Sequence, residues 1–483
     1  MRVRVVVPRP FRAALIAAIL LSAVSSVPSH AVAASADWYD SAWTNRTPIF
    51  VDNTAGAALT DYQVEIPVTY ESDMQADFDD LRFTAGDGVT ILDYWIQEKT
   101  DSSQALVWVE VPSLPASDTT TVYMYYGNPS AVSTASGEDT FLFFYDFGAD
   151  DLLDTSKWVE TKTGATLDWS SDDYVAISSS GNDLDWQIKT INGESTAFVA
   201  EFKLNIISFD GSASFWNRVA DESDIGVGDP VTWGYYATSA FRDGLLTTGV
   251  RWFKVVLDSS GWDTDSRTPL APSWADWSSA DWGASQDALK STLWHNCGTS
   301  GYWASLHQRW YYYFHRQSAD PEPSVTFGQE IDLALTAGWN MVSVPLELAD
   351  ASRAAVFPPA DVVAVYTWNP GTKSYEVPTN IAPEVGYWVA VTGDKTITVT
   401  GTPVTSWEDH PLIAGWNMIG SVCGDSVAVG DLDDDPSGSI LDSAIYWWNP
   451  VSKSYVSVSQ IDEGLGYWMA ATADCTLCMQ PSA

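Results

Sequence analysis

Ala105-Leu106-Val107-Trp108-Val109-Glu110-Val111 is the stretch whose side-chain order decides the fold class. Ala105, Val107, Val109 and Val111 fall on one face of an extended chain, and Leu106, Trp108 and Glu110 fall on the other. A period of two, rich in β-branched and aromatic residues, marks a strand with a face in a core. Similar alternation runs through Asp61-Tyr62-Gln63-Val64-Glu65-Ile66-Pro67-Val68 and Thr119-Thr120-Thr121-Val122-Tyr123-Met124-Tyr125-Tyr126. Turn clusters such as Ala85-Gly86-Asp87-Gly88 separate these runs, and no segment of useful length carries a helical period. Short strands at this spacing predict antiparallel sandwiches. The expected fold is all-β and multi-domain: a β-sandwich, a jelly-roll-like sandwich and a duplicated small β-module.

Composition narrows the function classes. Residues 1–33 read as a signal peptide, with Arg2 to Arg12 basic, Ala13 to Val24 apolar and Ala31-Val32-Ala33 a small-x-small cleavage site. Twelve apolar residues are short for a membrane span, so an exported protein at the cell surface or outside the cell is expected, with no transmembrane anchor after cleavage. Without that leader, 19 basic residues face 63 acidic ones. Such a surface repels nucleic acid and anionic lipid.

Five ordered motifs follow. Trp38-Tyr39-Asp40-Ser41-Ala42-Trp43-Thr44-Asn45-Arg46 opens the series, and Asp79-Asp80-Leu81-Arg82-Phe83, Leu92-Asp93-Tyr94-Trp95-Ile96 and Val107-Trp108-Val109-Glu110-Val111-Pro112 continue it. Tyr123-Met124-Tyr125-Tyr126-Gly127-Asn128-Pro129 closes it. Together they resemble the extracellular family catalogued as domain of unknown function 2341, which brings a location and a sandwich but no activity. Phe144-Tyr145-Asp146-Phe147 and Leu153-Asp154-Thr155-Ser156-Lys157-Trp158, with Tyr311-Tyr312-Tyr313-Phe314 near the other end, resemble a concanavalin A-like lectin/glucanase sandwich. The expected domains are 34–140 and 141–331, followed by repeat modules at 332–404 and 405–483.

The repeat rests on four landmarks in the same order. Gly338-Trp339-Asn340 recurs as Gly415-Trp416-Asn417, and Trp368-Asn369-Pro370 recurs as Trp448-Asn449-Pro450. Lys373-Ser374-Tyr375 recurs as Lys453-Ser454-Tyr455, and Gly386-Tyr387-Trp388 as Gly466-Tyr467-Trp468. Order and near-constant offset establish a duplication. The copies resemble the Gly-Trp-Asn repeats of secreted surface proteins, which imply no defined activity. One structural role per copy, core packing, is the expectation for their tryptophans. Each Trp-Asn-Pro followed by Lys-Ser-Tyr predicts a hairpin.

Candidate chemistry is sparse. The glucanase arrangement Glu-x-Asp-x-x-Glu is absent; Glu201 is the nearest strand glutamate and no second Glu follows at even spacing. No Gly-x-Ser-x-Gly elbow or phosphate-binding glycine loop occurs. Asp431, Asp433 and Asp435, with Asp442 at the twelfth position, imitate a calcium loop. Pro436 stands where such a loop turns on glycine, so the alternatives are an irregular calcium site and a solvated acidic loop. Calcium is the cofactor such a loop would take, and no other cofactor is expected. Cys423, Cys475 and Cys478 lie in the second copy, and an exported protein favours a disulfide among them.

Trp274, Trp277 and Trp282 are interleaved with Asp and Ser. They read either as core aromatics with a polar edge or as a platform for a ligand, since flat indoles suit sugar rings and protein interfaces. The expected function is non-catalytic binding or adhesion, with glycans (polysaccharide or glycoconjugate) or cell-envelope proteins as partners and no enzyme activity. The alternatives are a glycoside hydrolase or lyase with an unrecognised site in the second domain, and a structural component of a surface layer or matrix.

Overall fold

The computed structural model describes residues 38–480 except 149–152, 170, 172–173, 182–183, 191–197, 212, 222–231, 238–248, 258–260, 268–274, 282–288 and 298–303. Residues 1–33, read above as a leader, lie outside the described residues. The chain is all-β and multi-domain. Among the described residues, helix is confined to the single turns Gly137–Thr140 and Arg353–Val356 and the 3₁₀ turn Val429–Asp431. Two compact units result, Asp37–Gly328 and Gln329–Ala483.

In the first unit, Leu59–Thr69, Gln104–Leu114 and Tyr94–Thr100 form a three-stranded sheet. A five-stranded sheet holds Asn45–Asp52 between Ser324–Phe327 and Thr119–Tyr126, then adds Arg82–Ala85 and Ile91–Leu92. Val107, Val109 and Val111 pack with Ile49, Ile66, Val122 and Met124 in their shared core. The expected sandwich therefore forms, but its fifth strand comes from 270 residues further along the chain.

Trp108 explains part of that closure. It faces away from the valines and is buried with Phe141, Phe144, Tyr312 and Phe314. Its Nε1 donates to Gln97 at 2.8 Å, and the Gln97 amide donates to the Tyr312 hydroxyl at 2.9 Å. Tyr312 and Phe314 lie on the long strand Ala304–Gln317 of an eight-stranded sheet. A second sheet of five strands pairs Leu289–Cys297 with Leu184–Thr190 and Ala213–Asp221. The quoted strand is thus buried along one face and at Trp108 on the other, and Phe141 and Phe144, just past the boundary expected at 140/141, pack in an aromatic joint with it inside the unit Asp37–Gly328.

Beside that joint, Arg316 Nε donates to Glu201 Oε1 at 2.9 Å, and both side chains are 2% exposed. Arg316 Nη2 also donates to Glu322 at 2.8 Å, and its guanidinium lies 4.9 Å from the centre of the Trp108 ring. Burial opposes the arginine charge, but the Glu201 and Glu322 carboxylates outweigh it and raise its pKa.

The second unit shows why the copies recur. Each copy makes a four-stranded sheet in matching order and a three-stranded sheet whose first two strands match. In the first copy the four strands are Gly338–Val342, Tyr387–Val391, Ala364–Asn369 and Ser374–Glu376; in the second they are Gly415–Ile419, Tyr467–Ala471, Ile440–Asn449 and Ser454–Ser457. The Gly-Trp-Asn triplet divides its labour by residue. Gly338 and Gly415 take φ of 105° and 111°, in the left-handed region that favours glycine. The Asn340 amide exchanges hydrogen bonds with the backbone of Thr336, and Asn417 does the same with Ile413. The Trp side chain is left for the sheet surface. The predicted hairpins also form, with Trp368 opposite Tyr375 and Trp448 opposite Tyr455.

The copies expected as separate modules interlock. Gly386 N–H donates to Met418 O and Gly466 N–H to Met341 O, each at 3.2 Å. The Ser343 and Ser421 hydroxyls meet at 2.9 Å in the interior. Reciprocal contacts of this kind are what a two-fold relation produces. Both glycines are tight: a Cβ on Gly386 would lie 2.6 Å from Ile419 O, and one on Gly466 would lie 2.6 Å from Val342 O.

Two stability predictions follow from these contacts. Arg316→Met leaves Glu201 buried without its cation and should cost about 3–5 kcal/mol; thermal unfolding of the whole chain at neutral pH measures it, and an unchanged midpoint would refute the pairing. Gly386→Ala and Gly466→Ala should each cost about 1–3 kcal/mol by overpacking. Gly393→Ala, with nothing within 4 Å of the added carbon, should stay within about 0.5 kcal/mol of the parent.

Candidate functional site: twin aromatic clefts

Strand periodicity sorts the side chains of each copy onto two faces. In the first copy, Val342, Val365, Tyr387, Val389 and Val391 face the core. Trp339, Met341, Tyr366, Trp368 and Trp388 take the alternate positions, as Trp416, Met418, Tyr446, Trp448 and Trp468 do in the second. Met341, Met418 and Trp388 form a buried cluster against which Tyr366, Trp368, Trp448 and Trp468 pack.

Two clefts open at this seam. Trp339, Tyr366, Tyr375 and Trp388 of the first copy line one, with Trp448 and Tyr455 of the second. Trp416, Tyr446, Tyr455 and Trp468 of the second copy line the other, with Trp368 and Tyr375 of the first. Every lining residue of one cleft has its repeat equivalent in the other. Their volumes are about 380 and 510 Å³, within the range of small-ligand sites.

The rings are held firmly. Trp368 Nε1 donates to Trp416 O and Trp448 Nε1 to Trp339 O, both at 2.9 Å. Trp368 meets Trp468 edge to face at 5.5 Å, and Trp388 meets Trp448 at 5.4 Å. Such pairs add about 0.5–1.5 kcal/mol each beyond area burial. Hairpin turns fix the tyrosines: Asn369 Oδ1 accepts from Gly371 and Thr372 N–H, and Asn449 Oδ1 accepts from Val451 and Ser452 N–H. Burial raises the Tyr375 pKa, the Trp388 N–H lowers it and Tyr455 raises it; the net rise keeps its hydroxyl protonated at neutral pH. Neither cleft is lined by a carboxylate, histidine or thiol, so each presents surface rather than acid–base chemistry.

The core expectation for these tryptophans holds for Trp388, which is 8% exposed, and fails for Trp339 and Trp416, which are 44% and 46% exposed. Tyr375 and Tyr455 are each 50% exposed. Recurrence alone does not distinguish a core position from a preserved surface. The period-two spacing of Trp339 with Met341 and of Tyr366 with Trp368 was the available signal for a second aromatic face.

The other predicted residues lie elsewhere. Trp274 and Trp282 lie outside the described residues. Trp277 is on the strand Ala275–Asp281, last in its sheet order, at a bulge opposite Thr264 and Asp265. Asp433 and Asp435 belong to a strand paired with Cys475–Met479 and stand exposed, as does Asp431. Their neighbour Asp434 organises the loop, accepting from Gly438 and Ile440 N–H at 3.1 and 2.8 Å. The Asp442 side chain lies outside the described residues, and among those described no three His, Cys, Asp or Glu side chains gather to hold a metal. Glu201, the nearest approach to a glucanase acid, is locked on Arg316.

The disulfide expectation is corrected. Cys423, Cys475 and Cys478 are free thiols. Cys423 packs in the core of the first copy and donates to Pro345 O at 2.9 Å, whereas Cys475 packs in the core of the second. Cys475 and Cys478 are three apart on one strand, an odd spacing that sends them to opposite faces.

Comparison with known proteins adds one assignment. Residues 77–162 match the family described as Domain of unknown function (DUF2341). The match covers four of the five motifs, all but the opening one at 38–46, and runs past 140, across the aromatic joint. No curated protein matches. Solved structures with some likeness include a GH16 of the Bacteroides ovatus mixed-linkage glucan PUL in complex with a G4G4G3G product, at 7% identity and TM-score 0.27, covering 36% of this chain and 99% of that one. The VIP36 exoplasmic/lumenal domain in a Ca²⁺/Man2-bound form shares 8% identity at TM-score 0.24, covering 36% and 86%. The GH43 BlXynB protein from Bacillus licheniformis shares 12% at TM-score 0.26, covering 47% and 50%. These neighbours include lectin and glycoside hydrolase β-sandwiches, and likeness at this level carries no argument about what this chain does.

Thiol labelling tests the corrected cysteines. Burial first, and then the Glu463 carboxylate, push the Cys423 thiol up to about 12, so it should resist iodoacetamide at pH 8. Cys478, half-buried, should label in the native protein, and Cys423 only after denaturation. Rapid native labelling of Cys423, or its recovery in a disulfide-linked peptide, would overturn this placement.

Proposed function

We propose that this is an exported, non-catalytic protein that binds glycans, and that the twin aromatic clefts of Gln329–Ala483 carry the recognition. One observation supports this above the rest: Trp339, Trp416, Tyr375 and Tyr455 stand about half-exposed at clefts whose remaining rings are locked by hydrogen bonds and edge contacts. Leaving so much aromatic surface in water forgoes burial worth about 25 cal/mol per Å². Concentrated exposure of this kind marks a binding surface. A pyranose ring with equatorial hydroxyls offers flat C–H faces to an indole while its hydroxyls stay in water at the rim. Such a ligand needs few polar partners inside a cleft, and these clefts offer few.

Retention of the chain from residue 34 on insoluble polysaccharides tests the reading, with calcium or chelator present and the supernatant assayed for released sugar. The Trp339→Ala/Trp416→Ala variant should lose at least about 2 kcal/mol of binding, roughly thirty-fold, with its unfolding midpoint held. A Trp274→Ala/Trp277→Ala/Trp282→Ala variant should bind as the parent does. Loss confined to that second variant would return the site to the first unit. Released sugar would overturn the non-catalytic reading, and retention only on cell-envelope protein would replace the glycan.

A further inference from the structure

The two clefts are not separate places on the surface. Tyr375 and Tyr455 line both, so the wall of one is the wall of the other. The rings facing each other across the seam alternate between copies: Trp388 lies 5.4 Å from Trp448 and 6.4 Å from Tyr455, and Trp468 lies 5.5 Å from Trp368 and 6.5 Å from Tyr375. A ligand leaving one cleft over the shared tyrosines enters the other.

The reciprocal contacts relate the clefts by an approximate two-fold. A chain crossing both therefore meets the second in the opposite sense from the first. Sites built on directed hydrogen bonds would read such a chain correctly only once. Stacking reads a ring face and not a chain direction, and both linings are wholly Trp and Tyr. The indole and phenol rings that recur here suit a ligand that repeats a flat face along its length. Charge narrows the class further. Residues 329–483 carry four Lys or Arg against nineteen Asp or Glu, a field that disfavours uronic or sulfated chains.

Resting on the glycan reading above, we propose that the two clefts act as one continuous site for a single neutral, linear glycan chain of flat pyranose rings, which spans the Tyr375/Tyr455 wall and stacks in both. Joining two weak sites through one ligand raises apparent affinity without new contacts, by an effective-concentration term that short ligands cannot use.

Calorimetric titration of the whole chain with β-1,4-linked gluco-oligosaccharides of two, four and six rings tests this. The six-ring ligand should bind one per chain, at least tenfold more tightly than the two-ring ligand. Trp339→Ala and Trp416→Ala should each remove that gain and bring the six-ring affinity to the two-ring level. The Ala variants keep the backbone carbonyls that accept the Trp448 and Trp368 N–H groups, and residual binding at the untouched cleft reports that each variant is folded. Two six-ring ligands per chain at two-ring affinity would show independent clefts and overturn the continuous site while leaving glycan binding intact. A single variant without effect on the six-ring ligand would overturn it equally. Absence of binding at every length would remove the glycan reading and this inference together, and gain of binding to a proline-rich peptide would reassign the groove.

Discussion

The second unit depends on two places where a glycine lies against a carbonyl. Gly386 touches the Ile419 peptide and Gly466 touches the Val342 peptide, each at a distance no side chain tolerates. Gly420 repeats the theme against Pro383 O. These approaches let one copy donate backbone hydrogen bonds to the other. They also set how close the two aromatic faces come. Near the glycines the faces meet and bury Met341, Met418 and Trp388; farther out, Trp339 and Trp416 remain partly in water. A dry cluster and two wet clefts are thus parts of one interface.

Sharing an interior makes the copies interdependent. Cys423 belongs to the second copy by sequence and to the first copy's core by packing. The Trp368 indole of the first copy is tied to the second, and Trp448 returns the bond. A single copy would present an aromatic face with nothing to cover its centre. Duplication supplies the cover and, because an approximate two-fold repeats every contact, supplies the cleft twice.

The first unit shows the opposite use of aromatic and charged groups. Trp108, Phe141, Phe144, Tyr312 and Phe314 close a joint rather than open a surface. Glu201, the strand glutamate nearest a glucanase pattern, pairs with Arg316 in the interior. A buried ion pair of this sort is costly to break and adds little net stability over an apolar pair.

Strand alternation was readable from residues 105–111 because a period of two is a local property of the chain. So were the duplication, from four landmarks that recur in the same order, and the hairpins, since each hairpin depends on neighbours within a few residues. Three matters needed the tertiary structure. Which strand face meets another surface is invisible locally, and so Trp108 proved to be part of a joint and Trp339 part of a cleft. The thiols of Cys423 and Cys475 were separated by two cores that sequence proximity does not distinguish. Asp433 and Asp435 were drawn into a strand by pairing with Cys475–Met479, where alternate carboxylates stand parallel rather than converge. Sequence by itself determined what each segment is able to form; the close approach of two copies decided which of their aromatic rings would be buried and which would be left in water.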